Sequence, residues 1–444
     1  MTPSELLDKT EQVWRTKGAF DPMDDMLALQ AQEPGALVDL VIGAMDRELP
    51  GRASALIGAT LDLMDDDALA VVVADAWRRA RSTARSGTGS GSKSGGLSEM
   101  VKDVLEFASA QMPAVFQNDW DQLTALARVR GDGELNVTAA WRAMDDAAVA
   151  DARRRLEGLS LTDPNHDKLV VALLHSRRPA VVREMAERGL AGRGTFPAFN
   201  GRSLLLMAGY DLDGAELRAL HDERPLHLRL SAVQRKHMWA EIPEWKRAIW
   251  NVHPTFDVAG RAQAVATTAM GGTLGEICGF CHGSLHRLLC VADVGGAEVV
   301  TFGTCLSCQG WESSVLFYRH DAAGLPHPHE SQCHLAPLTP EFVEEPLMEA
   351  KVELFRAPQR WAWQDWGASN NRQNLNRAGG PPAWVQSADH PECPDCQKTM
   401  AFVMQLDSHL PQRDGRGWAW GSGGCNYTFW CPSCRISAQL WQCT

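Results

Sequence analysis

Four Cys-x-x-Cys pairs in the C-terminal part of the chain constrain its fold more than any other feature. They are Cys278/Cys281, Cys305/Cys308, Cys393/Cys396 and Cys431/Cys434. Two thiolates at positions i and i+3 of a tight turn can face one cation, and a second such turn completes a tetrahedral four-sulfur site. The sequence therefore predicts about two structural zinc ions per chain, held by these eight cysteines in a β-rich region.

Disulfides and redox-active thiols are the alternatives for these pairs. All twelve cysteines lie at or after Cys278, and in a reducing compartment such usage favours metal binding over disulfides. A redox Cys-x-x-Cys pair sits at a helix N-terminus in a βαβ setting, which four pairs in matched halves do not fit.

Four further cysteines and a group of histidines lie outside these pairs. The cysteines outside the pairs are expected to be small buried hydrophobic residues; they are Cys290, Cys333, Cys425 and Cys443. A second cluster has a spacing that could bind a metal but lies in a Pro-rich loop, so its role stays open; it comprises His327, His329, Cys333 and His334.

The cysteine-rich region carries an internal repeat. Each half runs Cys-x-x-Cys, apolar strand, loop, a Thr-Phe dipeptide (residues 301–302 and 428–429), Cys-x-x-Cys and another apolar strand. This order predicts two zinc-stabilised β-units related by a pseudo-twofold axis, the first with its connector at 248–345 and the second at 346–444. We expect the two Cys-x-x-Cys pairs of one copy to share a metal ion. A duplicated fold can exchange strands between its copies, however, so the sequence leaves open which pairs share a metal.

The N-terminal half, residues 1–247, is predicted to be a helical domain, which makes the fold class α+β multidomain. Its segments are rich in Ala, Leu and Val with one apolar face, separated by turn signals. Residues 82–96 have almost no side chain that could order the backbone and predict a flexible loop. Segments beginning near residues 168 and 202 resemble each other, which suggests HEAT-like or ankyrin-like repeats; an irregular helical bundle is the alternative.

Charge and hydropathy exclude some classes of function. The formal net charge of −12 argues against a general nucleic-acid binder, because phosphate binding needs clustered cations. No apolar run is long enough to span a bilayer and the first residues lack a signal pattern, so no membrane partner and a cytoplasmic location are expected.

A glycine-rich stretch before the third cysteine pair predicts a binding groove. Gly379 and Gly380 permit backbone angles closed to other residues, and Trp384 and Gln386 are expected on one face of the strand that follows. An aromatic platform beside an amide suits an extended peptide. The candidate binding residues are Gly379, Gly380, Pro382, Trp384, Gln386 and Gln405. A structural role at the hinge between the halves is the alternative.

The same residues carry a family resemblance over about 265–444. The motifs are Gly379-Gly380-x-Pro382-x-Trp384-x-Gln386, Cys393-Pro-x-Cys396, Met400-x-Phe402, Gln405-Leu406-Asp407-Ser408, Gly423-Gly424, Tyr427-x-Phe429 and Cys431-x-x-Cys434. They resemble the bacterial YwqG-like proteins and their eukaryotic relatives, the programmed cell death protein two group, and most of all an uncharacterised bacterial branch. Many relatives carry an Asp where this chain has Ser422.

The resemblance implies a β-rich, internally duplicated, zinc-bearing domain that is not an enzyme. The eukaryotic relatives act as chaperones of a ribosomal protein, and the bacterial ones have been proposed as peptide-binding or toxin-associated modules. We therefore expect a non-catalytic protein- or peptide-binding module, chaperone-like or an immunity-type adaptor. Two alternatives stay open: an enzyme, hydrolytic or nucleic-acid-modifying, with its site in the groove between the β-units, and a nucleic-acid-binding zinc ribbon.

Overall fold

The structure, a computed structural model, divides into two compact units. The first comprises 1–208 and 368–372, and the second comprises 209–367 and 373–444. The structure describes residues 1–16, 22–33, 35–49, 54–86, 96–129, 133–190, 201–214, 216–231, 236, 253–256, 262–294, 297–342, 345–369 and 372–444. Among them, no helix has the length and apolar character needed to cross a membrane.

The first unit is helical, as its apolar periodicity predicts. Its helices are α1 (Pro3–Arg15), α2 (Met23–Gln32), α3 (Ala36–Asp46), α4 (Ser54–Leu63), α5 (Asp66–Ser86), α6 (Glu99–Gln111), α7 (Trp120–Leu126), α8 (Asp146–Gly158), α9 (Pro164–His175), α10 (Pro179–Leu190) and α11 (Gly201–Met207), with 3-10 helices at Pro113–Phe116 and Thr138–Ala143. Ser98, Asp145 and Asp163 cap α6, α8 and α9 by accepting backbone N–H groups. The buried core lies between their apolar faces.

Three features of the helical prediction need correction. The range 1–247 that was predicted to be helical contains strands at Tyr210–Asp213, Glu216–Ala219 and Leu226–Arg229; Lys236 is helical, and residues 237–247 lie outside the described residues. The second of the two similar segments forms α11 and then a hairpin turning at Gly214, whose φ is +63°, so it does not repeat the α9–α10 pair. Residues 82–86 of the predicted loop extend α5, and 87–95 lie outside the described residues.

The second unit is β-rich. Its strands are β1 (Tyr210–Asp213), β2 (Glu216–Ala219), β3 (Leu226–Arg229), β4 (Ala264–Met270), β5 (Thr273–Ile277), β6 (Ser284–Val294), β7 (Ala297–Thr304), β8 (Leu316–His320), β9 (Pro326–Pro328), β10 (Ala350–Phe355), β11 (Arg377–Ala378), β12 (Ala401–Asp407), β13 (Leu410–Pro411), β14 (Gly417–Trp418), β15 (Cys425–Cys431) and β16 (Ile436–Gln442). Short helices lie at Glu330–Gln332, Gln359–Trp361 and Trp366–Ser369 (α12).

Twelve of these strands form one antiparallel sheet among the described residues. Its order is β5-β6-β4-β10-β3-β11-β12-β15-β16-β8-β9, and β7 pairs with β6. The sheet curls until its two edges meet: His327 Nδ1 on β9 lies 3.1 Å from Glu276 Oε2 on β5. Phe302 on β7 packs edge-on against the ring of Trp430 on β15. The sheet is therefore a nearly closed barrel.

The two expected β-units are halves of this one sheet. The strand that follows the second cysteine pair in each copy, β8 and β16, pairs with its equivalent, Tyr318 opposite Ser437. Strand β10, expected in the second unit, instead pairs with β4. Part of the expected connector, 248–252 and 257–261, lies outside the described residues.

The four-residue strand β3 joins the halves, because it pairs with β10 on one side and with β11 on the other. Leu228 also donates its N–H to the Asn376 carbonyl at 2.8 Å. Without β3, strands β10 and β11 would each have one unpaired edge in the middle of the sheet, and each unpaired backbone polar group is costly when buried.

We predict that a fragment of residues 209–444 folds and that a fragment of 248–444 does not, because only the first retains β3. Near-ultraviolet circular dichroism and gel filtration will distinguish a packed monomer from an aggregated or molten chain. Equal folding of the two fragments would show that β3 is peripheral to the sheet.

Candidate metal centre

The first group of four cysteines lies at one end of the β6–β7 hairpin. Cys278 and Cys281 flank the turn that leads into β6, and Cys305 and Cys308 follow β7. The four Sγ atoms lie within 4.8 Å of one another, and Cys281 Sγ is 3.6 Å from Cys305 Sγ. Zinc bonds of about 2.3 Å in a tetrahedron put sulfur atoms roughly 3.8 Å apart, so the spacing suits one ion.

Backbone N–H groups surround the sulfur atoms of the first pair. Phe280 N–H donates to Cys278 Sγ at 3.3 Å, and Gly283 N–H donates to Cys281 Sγ at 3.4 Å. Such donors favour the thiolate over the thiol, since hydrogen bonds to a charged acceptor are stronger than those to a neutral one. The turn thus prepares both sulfur atoms as metal ligands.

The second group repeats the first in its own half of the sheet. Cys393 and Cys396 precede β12, whereas Cys431 ends β15 and Cys434 precedes β16; their Sγ atoms also lie within 4.8 Å of one another. The duplication extends to the backbone, because the residue after the first pair has a positive φ in both copies: +59° at His282 and +60° at Gln397. The within-copy pairing is the one that forms.

Both groups consist of sulfur alone among the described residues. In the first, hydrogen bonds from Cys305 and Cys308 lower the pKa of Cys278 far below that of a free thiol, whereas bonds to Cys278 and Cys305 raise the pKa of Cys308. Four thiolates at this spacing repel one another, so a cation is required to ionise them together. Four sulfur ligands also leave no open coordination position, as in structural rather than catalytic sites.

A third group of ligand-type atoms, on His329, Glu330 and Asp395, is part of an ion-pair network. His329 Nε2 lies 3.0 Å from Asp395 Oδ1, while Arg319 Nη2 lies 2.9 Å from Asp395 Oδ2 and 2.8 Å from Glu330 Oε1. The bonds from His329 and Arg319 hold the pKa of the Asp395 carboxyl below its ordinary value. Arg319 pairs with both carboxylates, and His329 pairs with Asp395, so the three ligand-type side chains already have partners within the protein.

The side chains of His327, His329, Cys333 and His334, whose role the sequence left open, do not come together as one set of ligands. His327 pairs with Glu276, His329 pairs with Asp395, and the ring of His334 packs on Phe280 with centroids 5.2 Å apart. Cys333 is exposed rather than buried, so its expected place in the core was wrong. Of the other cysteines, Cys425 is buried, and Cys290 and Cys443 are half-buried.

The glycines of the candidate groove have the backbone geometry that was expected. Gly379 and Gly380 have φ values of +68° and +72°. Gly380 N–H donates to Asp222 Oδ1 at 2.5 Å, and a Cβ on Gly380 would lie 2.7 Å from the Pro225 ring. The positive angles therefore serve the close packing of this turn against the loop before β3.

The strand expected after these glycines does not form, because Pro381 and Pro382 have no N–H to donate to a ladder and β11 ends at Ala378. Trp384 and Gln386 consequently share no strand face. The Trp384 ring packs on the core, with its centroid 4.7 Å from that of Tyr427.

The two amides of the candidate groove are also engaged within the protein. Gln386 Nε2 donates to the Cys443 carbonyl at 2.6 Å. Gln405 is fully buried, and its Oε1 accepts the Ala383 N–H at 2.8 Å. This stretch fits a structural role better than a peptide groove.

A group of apolar side chains around the first centre was not predicted from the sequence. They are Trp311, Leu335, Leu338 and Phe342, hereafter the apolar collar, and each is at least 57% exposed. The signal was present, since these residues stand in polar, proline-rich segments with no helical or strand period of their own.

Comparisons with known proteins give little further information. The chain is 39% identical over 70 residues to an uncharacterised protein, YpfL, of Salmonella typhimurium strain LT2. The match covers 16% of this chain and 15% of that protein. No family model matches the chain, and no solved structure matches it significantly. The resemblance to YwqG-like proteins thus stays a prediction.

We predict that Cys278→Ser and Cys393→Ser each lose one of two bound metal ions per chain, because a three-sulfur site binds far more weakly. Cys290→Ser is the matched control, since its Sγ lies 3.4 Å from the Thr301 hydroxyl and outside both groups. Native mass spectrometry counts the ions. If either ligand variant retained two ions, the substituted cysteine would not be a metal ligand.

We predict that Trp384→Ala lowers the free energy of unfolding by roughly 2 to 3 kcal/mol, because it removes an aromatic side chain packed on the core. Gln386→Ala should cost less than about 1 kcal/mol, since it removes one exposed hydrogen bond. Trp311→Ala, an exposed tryptophan in the same unit, is the control. Urea denaturation measures all three, and an unchanged midpoint for Trp384→Ala would contradict its packing role.

Proposed function

We propose that the protein is a non-catalytic binding module in which two structural zinc ions hold a docking surface for another protein. The observation that carries this proposal is the pair of closed all-cysteine groups. A catalytic zinc keeps one position for water or substrate and uses His or carboxylate ligands, and neither group has these among the described residues. Zinc is the metal that such four-sulfur knuckles hold most commonly.

The docking surface is the apolar collar. Single exposed apolar residues are ordinary, but four large ones grouped around one turn system indicate an interaction site. Trp311 N–H donates to the Cys308 carbonyl at 3.1 Å, and Phe342 N–H donates to Ser307 Oγ at 3.3 Å. The backbone of both residues is therefore fastened to the second cysteine pair of the first centre, and both side chains are exposed.

The rest of the collar is fastened to the first cysteine pair. His334 N–H donates to the Gly279 carbonyl at 3.0 Å, and Leu338 N–H donates to the Phe280 carbonyl at 2.8 Å. The loop that presents Leu335 and Leu338 is thus held by the backbone of the turn that carries Cys278 and Cys281. Binding of metal at this centre is coupled to the order of the collar, because the turn is fixed by its ligands.

The charges around the collar indicate the kind of partner. Glu312 follows Trp311 and Glu341 precedes Phe342, and both glutamates are exposed. An acidic rim around apolar anchors favours a basic protein surface with apolar or aromatic side chains of its own. The same rim opposes contact with phosphate groups, so a protein partner is favoured over nucleic acid.

We predict that Trp311→Ser with Phe342→Ser abolishes capture of the partner while two zinc ions remain bound. The matched control is Val265→Ser with Val299→Ser, which removes two exposed apolar side chains of the same unit from other strands. Affinity capture from the source cells with quantitative mass spectrometry compares the two variants. Support requires a protein that the first variant loses and the control retains; identical captured sets would overturn the collar as the docking surface.

Substitution by Co²⁺ tests the non-catalytic part of the proposal. A tetrahedral four-thiolate Co²⁺ site has strong sulfur-to-metal charge-transfer bands, and a closed site cannot accept a further ligand. We expect cyanide and hydroxamates at moderate concentration to leave the visible spectrum unchanged. A prompt spectral change without loss of metal would reveal an open position and favour an enzyme.

A further inference from the structure

The two cysteine groups differ in how far the protein covers them. In the first group, each of the four cysteines is at most 6% exposed. In the second group, Cys393 and Cys431 are buried, whereas Cys396 and Cys434 are half-buried. Two cysteines of the second group therefore reach the protein surface, and the cysteines of the first group do not.

A loop of residues 332–342, hereafter the covering loop, accounts for the burial of the first group. Its backbone is bonded to the turn of the first cysteine pair at two points. His334 N–H donates to the Gly279 carbonyl at 3.0 Å, and Leu338 N–H donates to the Phe280 carbonyl at 2.8 Å. The covering loop therefore lies directly along this turn.

The fit between the covering loop and the turn depends on a missing side chain. A Cβ on Gly279 would lie 2.1 Å from the carbonyl oxygen of Gln332, which is closer than any real contact. On the same turn, His282 Nε2 lies 2.9 Å from the His334 carbonyl oxygen. The covering loop is thus packed against the turn as well as hydrogen-bonded to it.

The corresponding turn of the second group is held by ion pairs at the surface. Asp395, between the two cysteines of this turn, lies 2.9 Å from Arg319 Nη2. Lys398, two residues after the turn's second cysteine, lies 2.6 Å from Asp213 Oδ2, and both side chains are exposed. Ion pairs between exposed side chains contribute little to stability and are screened by salt, so they hold this turn less firmly.

Access to the sulfur atoms determines how readily a metal ion in such a site can be replaced. A closed four-sulfur site has no open coordination position, so an incoming thiophilic cation must first contact a ligand sulfur. In the second group, Cys396 and Cys434 are at the surface. In the first group, the covering loop must open before any cysteine can be reached, and such local opening breaks several contacts together.

We propose that the second centre is a metal-exchange site for thiophilic divalent cations, whereas the first centre keeps its ion as long as the covering loop is in place. Incoming cations reach the second centre at Cys396 and Cys434. The apolar collar is fastened to the first centre, so a change of metal at the second leaves the collar in position. Metal exchange does not require that the collar bind a partner, and its tests involve no partner.

Cd²⁺ is the probe for exchange, and native mass spectrometry of the full zinc-loaded chain follows its entry. We expect one zinc ion per chain to be replaced at least roughly tenfold faster than the other, because the slower replacement requires hydrogen bonds of the covering loop to break. Replacement of both ions at the same rate would overturn the proposal.

Pulse labelling with N-ethylmaleimide during the exchange identifies the centre that exchanges first. We expect Cys396 and Cys434 to be labelled before the cysteines of the first centre, as read by peptide mass spectrometry. Cys333, which is exposed and outside both groups, gives the labelling rate of an accessible thiol in the same sample. Earlier labelling of the first centre would contradict the assignment.

The covering loop is tested by a pair of matched variants. Gly279→Ala places a Cβ against the Gln332 carbonyl and displaces the loop, whereas a Cβ on Gly275 meets no atom within 4 Å. Neither glycine has a positive φ, so alanine suits both backbones. We expect Gly279→Ala to accelerate the slower replacement by roughly tenfold and Gly275→Ala to leave both rates unchanged. An unaltered slower rate in Gly279→Ala would show that the loop does not control access.

Discussion

The repulsion between four thiolates is the constraint on which the β-rich unit depends. In each half of the sheet, two turns bring four sulfur atoms within 4.8 Å of one another. Without a cation only part of each set can be ionised, so the four sulfur atoms would not hold the two turns together through a shared metal ion. With a cation the four ligands tie the ends of paired strands together. We therefore expect metal binding and folding to be coupled in this region.

The cysteine groups, which would stabilise the fold, and the apolar collar, which would bind a partner, are different parts of the β-rich unit. The sulfur groups are closed and largely buried, so they offer no substrate position. The apolar collar is outside them and is held by their backbone. A zinc knuckle supports an exposed loop of this kind without a large hydrophobic core beneath it, which suits a surface that must stay apolar in water.

The features that depend on nearby residues could be predicted from the sequence, whereas those that depend on contacts between distant residues could not. The cysteine grouping followed from spacing of three residues, which fixes a turn whatever surrounds it. Strand β3 was missed because Leu226–Arg229 is too short to show a period, and its partners β10 and β11 are more than 100 residues further along the chain. A strand through Trp384 and Gln386 was predicted from their two-residue spacing, although Pro381 and Pro382 have no N–H groups for the hydrogen bonds of a sheet. The buried hydrogen bond between His227 and Gln364 joins residues 137 positions apart, which no local pattern connects.

X-ray absorption spectroscopy of the purified protein tests the central claim most directly. The account predicts two zinc ions per chain, each with a first shell of four sulfur atoms at about 2.3 Å and no lighter atoms. A shell containing nitrogen or oxygen at about 2.0 to 2.1 Å, or a protein folded with no zinc, would contradict it.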